Sequence, residues 1–252
     1  MTHLDMVEQV LDEVLPKCEE RPAAFHEAMR YAIGGKGKRI RPLICLAAAE
    51  AVGGRAEDAR YPAAAIELLH NYTLIHDDLP AMDNDVERRG MPTVWVKYGQ
   101  ANAILAGDAL QAIAFGAAAK APRNAGRIVS ELAVAAKGVV DGQVEDIAAT
   151  GDVSFIYRHK TADLFMAAAV MGALAAGADD AEAEAMRDFA LNLGLAFQYE
   201  DDLIDGDSPF SREETVRLVE ETTQNANRAL EGLKGDTSRL RQIATGLVGR
   251  TV

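Results

Sequence analysis

Residues 57–90 read EDARYPAAAIELLHNYTLIHDDLPAMDNDVERRG. Ile66, Leu69, Tyr72 and Thr73 recur at three- and four-residue spacing, the period of one helix face. Pro80 disfavours helix at the residue before it, so the spacing predicts a helix over 57–79. Asp77 and Asp78 then occupy its last turn, and Asp83 returns from the loop beyond. Carboxylates at a helix C-terminus oppose the macrodipole, so a group of them there calls for compensating cations. Hard divalent ions such as Mg²⁺ suit the position, because they prefer oxygen ligands, keep several waters and bridge to phosphate. An isolated Asp-Asp-x-x-Asp is more often a solvated acidic face, so this stretch argues for chemistry only in company.

The rest of the chain repeats the helical reading. Glycines and prolines cut the 252 residues into helical lengths at about 4–20, 22–33, 42–53, 57–79, 101–119, 125–149, 154–177, 179–205, 211–233 and 236–248. The chain contains 46 alanines, the best helix formers, and only 6% aromatics, which with β-branched residues favour strands. Thr93-Val94-Trp95-Val96 is the one brief strand candidate. With no repeat, low-complexity tract or linker, the expectation is a single all-α domain over 1–252.

Company for the first acidic cluster lies far along the chain. Gln198-Tyr199-Glu200-Asp201-Asp202-Leu203-Ile204-Asp205 places Asp201 and Asp205 four apart, with Gln198 one turn back. Like charges at that spacing repel, and two such clusters facing each other from helices of a bundle could hold metal. Basic residues cluster too. Gly34-Gly35-Lys36-Gly37-Lys38-Arg39-Ile40-Arg41-Pro42 sets four cations in six positions of a glycine turn; Arg39 stands where a P-loop needs Ser or Thr. Arg88-Arg89 supplies fork-shaped phosphate donors, and Arg158-His159-Lys160-Thr161 another cation and a hydroxyl. His70, seven residues before Asp77, shares its helix face. Taken singly, each is a surface loop or a satisfied side chain. Together they ask for a ligand that carries phosphate and recruits metal.

The charge balance limits the partners. With 39 acids against 26 bases, a net −13, the chain is unsuited to neutralising nucleic-acid phosphates. Cys18 and Cys45 cannot make a disulfide framework and read as small hydrophobes of a reducing compartment. The acidic N-terminus lacks a basic segment followed by an apolar core, and no apolar run approaches the roughly 20 residues of a membrane span. A cytoplasmic location without a membrane span is the expectation.

The order of these motifs resembles the trans-isoprenyl diphosphate synthases, the polyprenyl synthetase family that includes farnesyl and geranylgeranyl diphosphate synthases. Gly37 to Pro42 is similar to its GKRxRP loop. Glu67 to Asp85 is similar to its first aspartate-rich motif in the longer DDxxxxD form. Arg88-Arg89-Gly90, Ile104 to Leu110, His159-Lys160-Thr161 and Phe197 to Asp205 follow in order. The resemblance implies an isoprenoid-synthase-type helical bundle around a central active-site cavity, and a homodimer. It implies Mg²⁺, about three ions once diphosphate is bound, held by Asp77, Asp83 and Asp78 and by Asp201 with Asp202 and Asp205. Arg88, Lys160, Thr161 and Gln198 are implied to hold the allylic diphosphate, and Lys38, Arg41, His70 and Arg89 isopentenyl diphosphate. The implied reaction is head-to-tail condensation of the two. Tyr72 and Thr73, one turn before the first aspartates, are implied to set chain length. An aromatic there points to a farnesyl (C15) product, with geranylgeranyl (C20) the alternative.

The chain also departs from the family pattern. Val86-Glu87, Trp95 and Ala162 replace more usual residues, and the stretches after Ala121, Gly151 and Asp207 are several residues short. Family members carry lysines after the second acidic cluster, where Lys234 is the only later lysine here. Natural trimming with weakened catalysis, or surface loops missing from the sequence, accommodates this; the coincidence with expected surface loops favours the second. A silent regulatory subunit of a hetero-oligomer ordinarily loses one acidic cluster, and both are present. A terpene cyclase has no use for Lys38, Arg41, His70 and Arg89 as a set. The sequence therefore favours the enzyme over both rivals.

Overall fold

The computed structural model describes residues 1–35, 37–206 and 208–247. Lys36 of the basic loop and Asp207 fall outside them. The helices are α1 (His3–Val14), α2 (Ala23–Ile33), α3 (Ile40–Ala51), α4 (Arg60–Asp77), α5 (Val94–Tyr98), α6 (Gln100–Ala118), α7 (Ala125–Ile147), α8 (Val153–Ile156), α9 (Asp163–Ala176), α10 (Asp180–Asp205), α11 (Arg212–Ala229) and α12 (Ser238–Leu247). A 3₁₀ turn, Ala56–Ala59, leads into α4, and a six-residue π-helical segment, Tyr157–Ala162, joins α8 to α9. The chain is thus an all-α bundle, as the alanine content and punctuation imply.

Local signals explain most boundaries. Thr2 and Asp179 open α1 and α10 with capping boxes. Helix α1 stops at Val14 rather than at the expected residue 20, because Pro16 holds Leu15 extended at ψ 139°. Gly206 at φ +75° closes α10, a conformation glycine adopts without penalty. The shortened stretches close as tight turns, with Ala121 N donating to Ala118 O and Ala149 N to Asp146 O.

Helix α9 is the axis of the bundle. Every residue from Asp163 to Ala175 is buried, and it packs against α3, α4, α7 and α10. Small side chains permit this crowding. A Cβ on Gly172 would lie 1.9 Å from the Cys45 carbonyl oxygen, so only glycine allows α9 to lie this close to α3.

Two sequence expectations are corrected. The strand candidate Thr93–Val96 is instead the start of α5, while the chain's two-residue hairpin, β1 (Glu87–Arg88) with β2 (Met91–Pro92), lies just before it. That hairpin uses up the local pairing and leaves the Val-Trp-Val run no partner strand. The single helix expected over 154–177 is interrupted by the π segment. Helix α6 has 19 residues and is long and apolar enough by length and composition alone to cross a membrane, a property that the core helix of a bundle shares. It lies against α4 and α5 and carries one charge, Asp108.

Candidate active site

Three cavities lie in series beside α4. The middle one, about 370 Å³, is lined by Asp77, Lys160, Thr161, Gln198, Asp202 and Asp146 among others. It shares Arg41, His70 and Leu74 with a basic cavity of about 560 Å³ that also takes in Lys38, Arg88, Arg89 and Asp201. On its other side it shares Thr73, Asp77 and Val139 with a cavity of about 270 Å³ walled by Tyr72, Val140, Val144 and Ile147. The result is one row: cations, then mixed charge, then hydrocarbon.

The acidic turn is built by the end of α4. Pro80 stops the helix, and the chain folds back so that Asp83 N donates to Asp77 O at 2.9 Å. Asp77, the last helical residue, belongs to both the middle and the apolar cavity. Burial pushes its carboxyl up to about 6, and Asp83 and Asp78 add to the shift against Lys160 and Arg88. Asp78 is buried and held by Arg88, whose Nε donates to its Oδ1 at 2.7 Å; Arg88 also reaches Asp85 at 3.3 Å. Asp83 is exposed. Arg88 therefore stands in the basic cavity and braces the acidic turn, apart from Lys160.

Opposite, the π segment presents Lys160 and Thr161. Lys160 Nζ donates to Asp146 of α7, and Thr161 Oγ1 to Gln198 Oε1 at 3.0 Å. This segment sits close to α7 because Gly138 and Gly142 face it. A Cβ on Gly142 would come 2.6 Å from Lys160 N, and one on Gly138 1.9 Å from an oxygen of Asp163. The second acidic cluster divides. Asp202 enters the middle cavity and accepts from Gln198 and Tyr157, Asp201 lines the basic cavity, and Asp205 is exposed at the end of α10. The two acidic clusters thus open into adjoining cavities.

The basic cavity is short of negative charge. Arg41 Nη1 donates to His70 Nε2 at 3.3 Å, which makes that nitrogen the acceptor and leaves Nδ1 to carry the ring proton. Burial holds the His70 pKa well below the ordinary histidine value, reinforced by Arg41, Arg89, Arg88 and Arg39. Among the described residues, Arg41 Nε and His70 Nδ1 are buried without hydrogen-bond partners. Unpaired donors among cations are what an incoming phosphate group satisfies. Arg39 also lines this cavity but is committed: it is buried between Glu8 and Glu67 at 2.8 Å from each, a brace for the loop.

In the apolar cavity Tyr72 stands edge-on to His76, ring centroids 4.9 Å apart. Thr73 Oγ1 donates back to His70 O at 2.8 Å and so presents its methyl group.

Sequence reasoning missed Asp146, Tyr157, Gly138 and Gly142. Asp146 was findable: it is an acid at the end of α7, disfavoured there by the same dipole rule that singles out Asp77. Tyr157 and the glycines carry no signal until α7, α10 and the π segment are seen side by side.

Among the described residues no group of three or more His, Cys, Asp or Glu is placed to hold a metal ion unaided. The donor set still suits a hard cation. Asp77 carries charge its surroundings disfavour, and Mg²⁺ ordinarily takes one or two carboxylates and fills its shell with phosphate oxygens and water. Asp77 with Asp83, and Asp201 across the shared wall, are the residues that would hold it.

Comparison with known proteins places the chain in a class. The polyprenyl synthetase family model matches residues 22–214, and the chain belongs to that family. Among relatives, the heterodimeric geranylgeranyl pyrophosphate synthase large subunit 1 of Arabidopsis thaliana is 44% identical over 81% of this chain and 60% of that protein. The geranylgeranyl pyrophosphate synthase of Capsicum annuum is 45% identical over 79% of this chain and 57% of that one. The chain spans about 60% of the length of these curated relatives. Among solved structures, the geranylgeranyl pyrophosphate synthetase of Pyrococcus horikoshii superposes with TM-score 0.90 at 27% identity, covering 98% of this chain and 96% of that one. The FPP/GFPP synthase of Zymomonas mobilis gives 0.88 at 33%, covering 96% and 95%.

Proposed function

We propose that this chain is a Mg²⁺-dependent short-chain trans-prenyltransferase that condenses isopentenyl diphosphate with an allylic diphosphate, dimethylallyl or geranyl. The observation that carries the reading is the row of three cavities, because the reaction needs a phosphate-binding cationic site, an ionising centre and a hydrocarbon tunnel in that order. Family membership and the names of the relatives support it.

In this reading Lys38, Arg41, Arg89 and neutral His70 hold isopentenyl diphosphate in the basic cavity. Lys160 and Gln198 hold the allylic diphosphate at the middle, with Arg88 contributing from the adjoining basic cavity. When bound, Mg²⁺ supplies Lewis-acid stabilisation to the departing diphosphate. The cations of both cavities add preorganised electrostatic stabilisation as that negative charge develops. Alignment of the two substrates along one row lets the double bond meet the allylic cation, while the hydrocarbon walls of the third cavity keep water from quenching it. The test is incubation of the purified chain with labelled isopentenyl diphosphate and each allylic starter, with chromatographic sizing. A product of C15 to C20 is expected; no product with any starter would remove the reading.

Tyr72 bounds the tunnel and supports a C15 stop, while the relatives' names support C20. Tyr72→Ala should lengthen the product by at least one isoprene unit. An unchanged product length would remove Tyr72 as the floor.

We also infer a homodimer. Ile104 and Leu105 on α6 and Val134 on α7 are exposed and line none of the three cavities, and the two helices pack together. Apolar side chains gathered this way mark an interface. Sedimentation equilibrium should report twice the 27.0 kDa chain mass, and Leu105→Glu with Val134→Glu should return the monomer. A monomeric parent chain would overturn the assignment.

A further inference from the structure

The π segment and α10 are joined by a closed run of hydrogen bonds. Tyr157 Oη donates to Asp202 Oδ2, Gln198 Nε2 donates to Asp202 Oδ1 at 3.0 Å, and Thr161 Oγ1 donates to Gln198 Oε1 at 3.0 Å. Tyr157 and Thr161 lie four apart on one element, Gln198 and Asp202 four apart on the other, and all four line the middle cavity with Asp77 and Lys160. Asp202 is 6% exposed, and each of its oxygens accepts from a protein donor.

Donor and acceptor accounting fixes the direction of every bond in this run. A carboxylate only accepts, so it draws the Gln198 NH₂ group toward itself. The amide oxygen is then the end that meets Thr161, and the hydroxyl must give its single proton to it. What Thr161 turns to the cavity is lone pairs alone. We propose that Asp202 and Tyr157 are positioning residues that set this polarity, so that Thr161 meets the substrate as a hydrogen-bond acceptor and never as a donor. The proposal rests on the prenyltransferase reading, in which positive charge grows on the allylic carbon inside this cavity. Oxygen lone pairs favour that charge, whereas a hydroxyl proton pointing inward would oppose it. Asp202 is accordingly a hydrogen-bond hub and not a metal ligand, in contrast to Asp201 in the neighbouring cavity.

Asp202→Asn tests this in the full chain. An asparagine can turn its own NH₂ group to Gln198, which lets that amide reverse and Thr161 aim its proton inward. The expected result is a kcat about 10- to 100-fold lower with KM for both substrates within about twofold, the pattern of an interaction made only in the transition state. In a Thr161→Val background the same change should cost less than about twofold, because the hydroxyl it acts through is gone. Tyr157→Phe should move kcat the same way by less, and Thr161→Ser should retain the full sensitivity to Asp202→Asn. Binding of Mn²⁺ in the presence of inorganic pyrophosphate, followed by electron paramagnetic resonance, should be unchanged by Asp202→Asn. An undiminished loss in the Thr161→Val background, or loss of Mn²⁺ affinity, overturns the proposal while an active parent enzyme leaves the function standing. A parent chain that makes no product with any starter overturns both.

Discussion

Asp77→Ala is expected to lower kcat/KM at least about 1,000-fold, equivalent to about 4 kcal/mol of transition-state stabilisation. The residue stands at the junction of two cavities and lines both the middle and the apolar one. Asp78 is committed to Arg88, and Asp83 is exposed, so neither is placed to substitute for it. A loss of folding would mimic the result, but the electrostatics point the other way. An aspartate whose pKa is raised on folding is harder to ionise in the folded chain than in the unfolded one. Its charged form therefore opposes folding at neutral pH, and this opposition fades as the pH falls through about 6 toward the ordinary aspartate value. Removing the carboxylate should leave the Tm of the metal-free protein at pH 7.5 unchanged or raised. Steady-state kinetics and a thermal melt on the same sample check both halves. Near-parental activity would remove Asp77 as the metal-binding acid, and a Tm lower by several degrees would make the kinetic loss structural.

What could be read from the sequence follows from where the physics is local. Helix ends at Pro16, Pro80 and Gly206 obey backbone restrictions that need no tertiary partner, and those boundaries, apart from the reach of α1 past Pro16, follow the expectation closely. The acidic turn was legible for the same reason: the helix dipole makes Asp77 and Asp78 anomalous in isolation. The division of the second cluster was not legible. Asp201 and Asp202 are adjacent on one helix, and only the placement of the π segment decides that one faces Tyr157 and the other the arginines. Nor does any periodicity announce a π segment, since it inserts one residue into a pattern that reads as helix on both sides. Gly138 and Gly142 became meaningful once Lys160 was seen against them. The sequence named the chemical groups; the close approaches that aim them depend on packing between α7, the π segment and α10, which are distant in sequence.

Arg39→Met is expected to destabilise the chain by about 3–5 kcal/mol, the cost of leaving one partner of a buried ion pair alone. The Arg39 side chain is 4% exposed and that of Glu67 3%, with 2.8 Å between them. Its Nη2 also donates to Ile33 O at 2.6 Å, so one guanidinium ties α1, the end of α2 and α4 to the start of α3. Arg39 itself sits at φ +51°, a left-handed backbone that costs a non-glycine residue of order 1 kcal/mol and persists only where its surroundings enforce it. The clamp provides that enforcement, and Lys38 and Arg41 flank the strained residue. Losing the clamp should therefore loosen the basic cavity as well and, in the proposed reaction, raise KM for isopentenyl diphosphate more than KM for the allylic starter. Glu8 separates the contributions, because its carboxylate is half exposed and Glu8→Ala should cost no more than about 1 kcal/mol. Adding Glu67→Leu to Arg39→Met should recover part of the stability by removing the stranded charge, yet leave the KM defect in place. Urea denaturation of the three variants measures the first effect and substrate titrations the second. If Arg39→Met unfolds at the parental urea concentration, the clamp contributes nothing, and the positions of Lys38 and Arg41 are fixed by α3 alone.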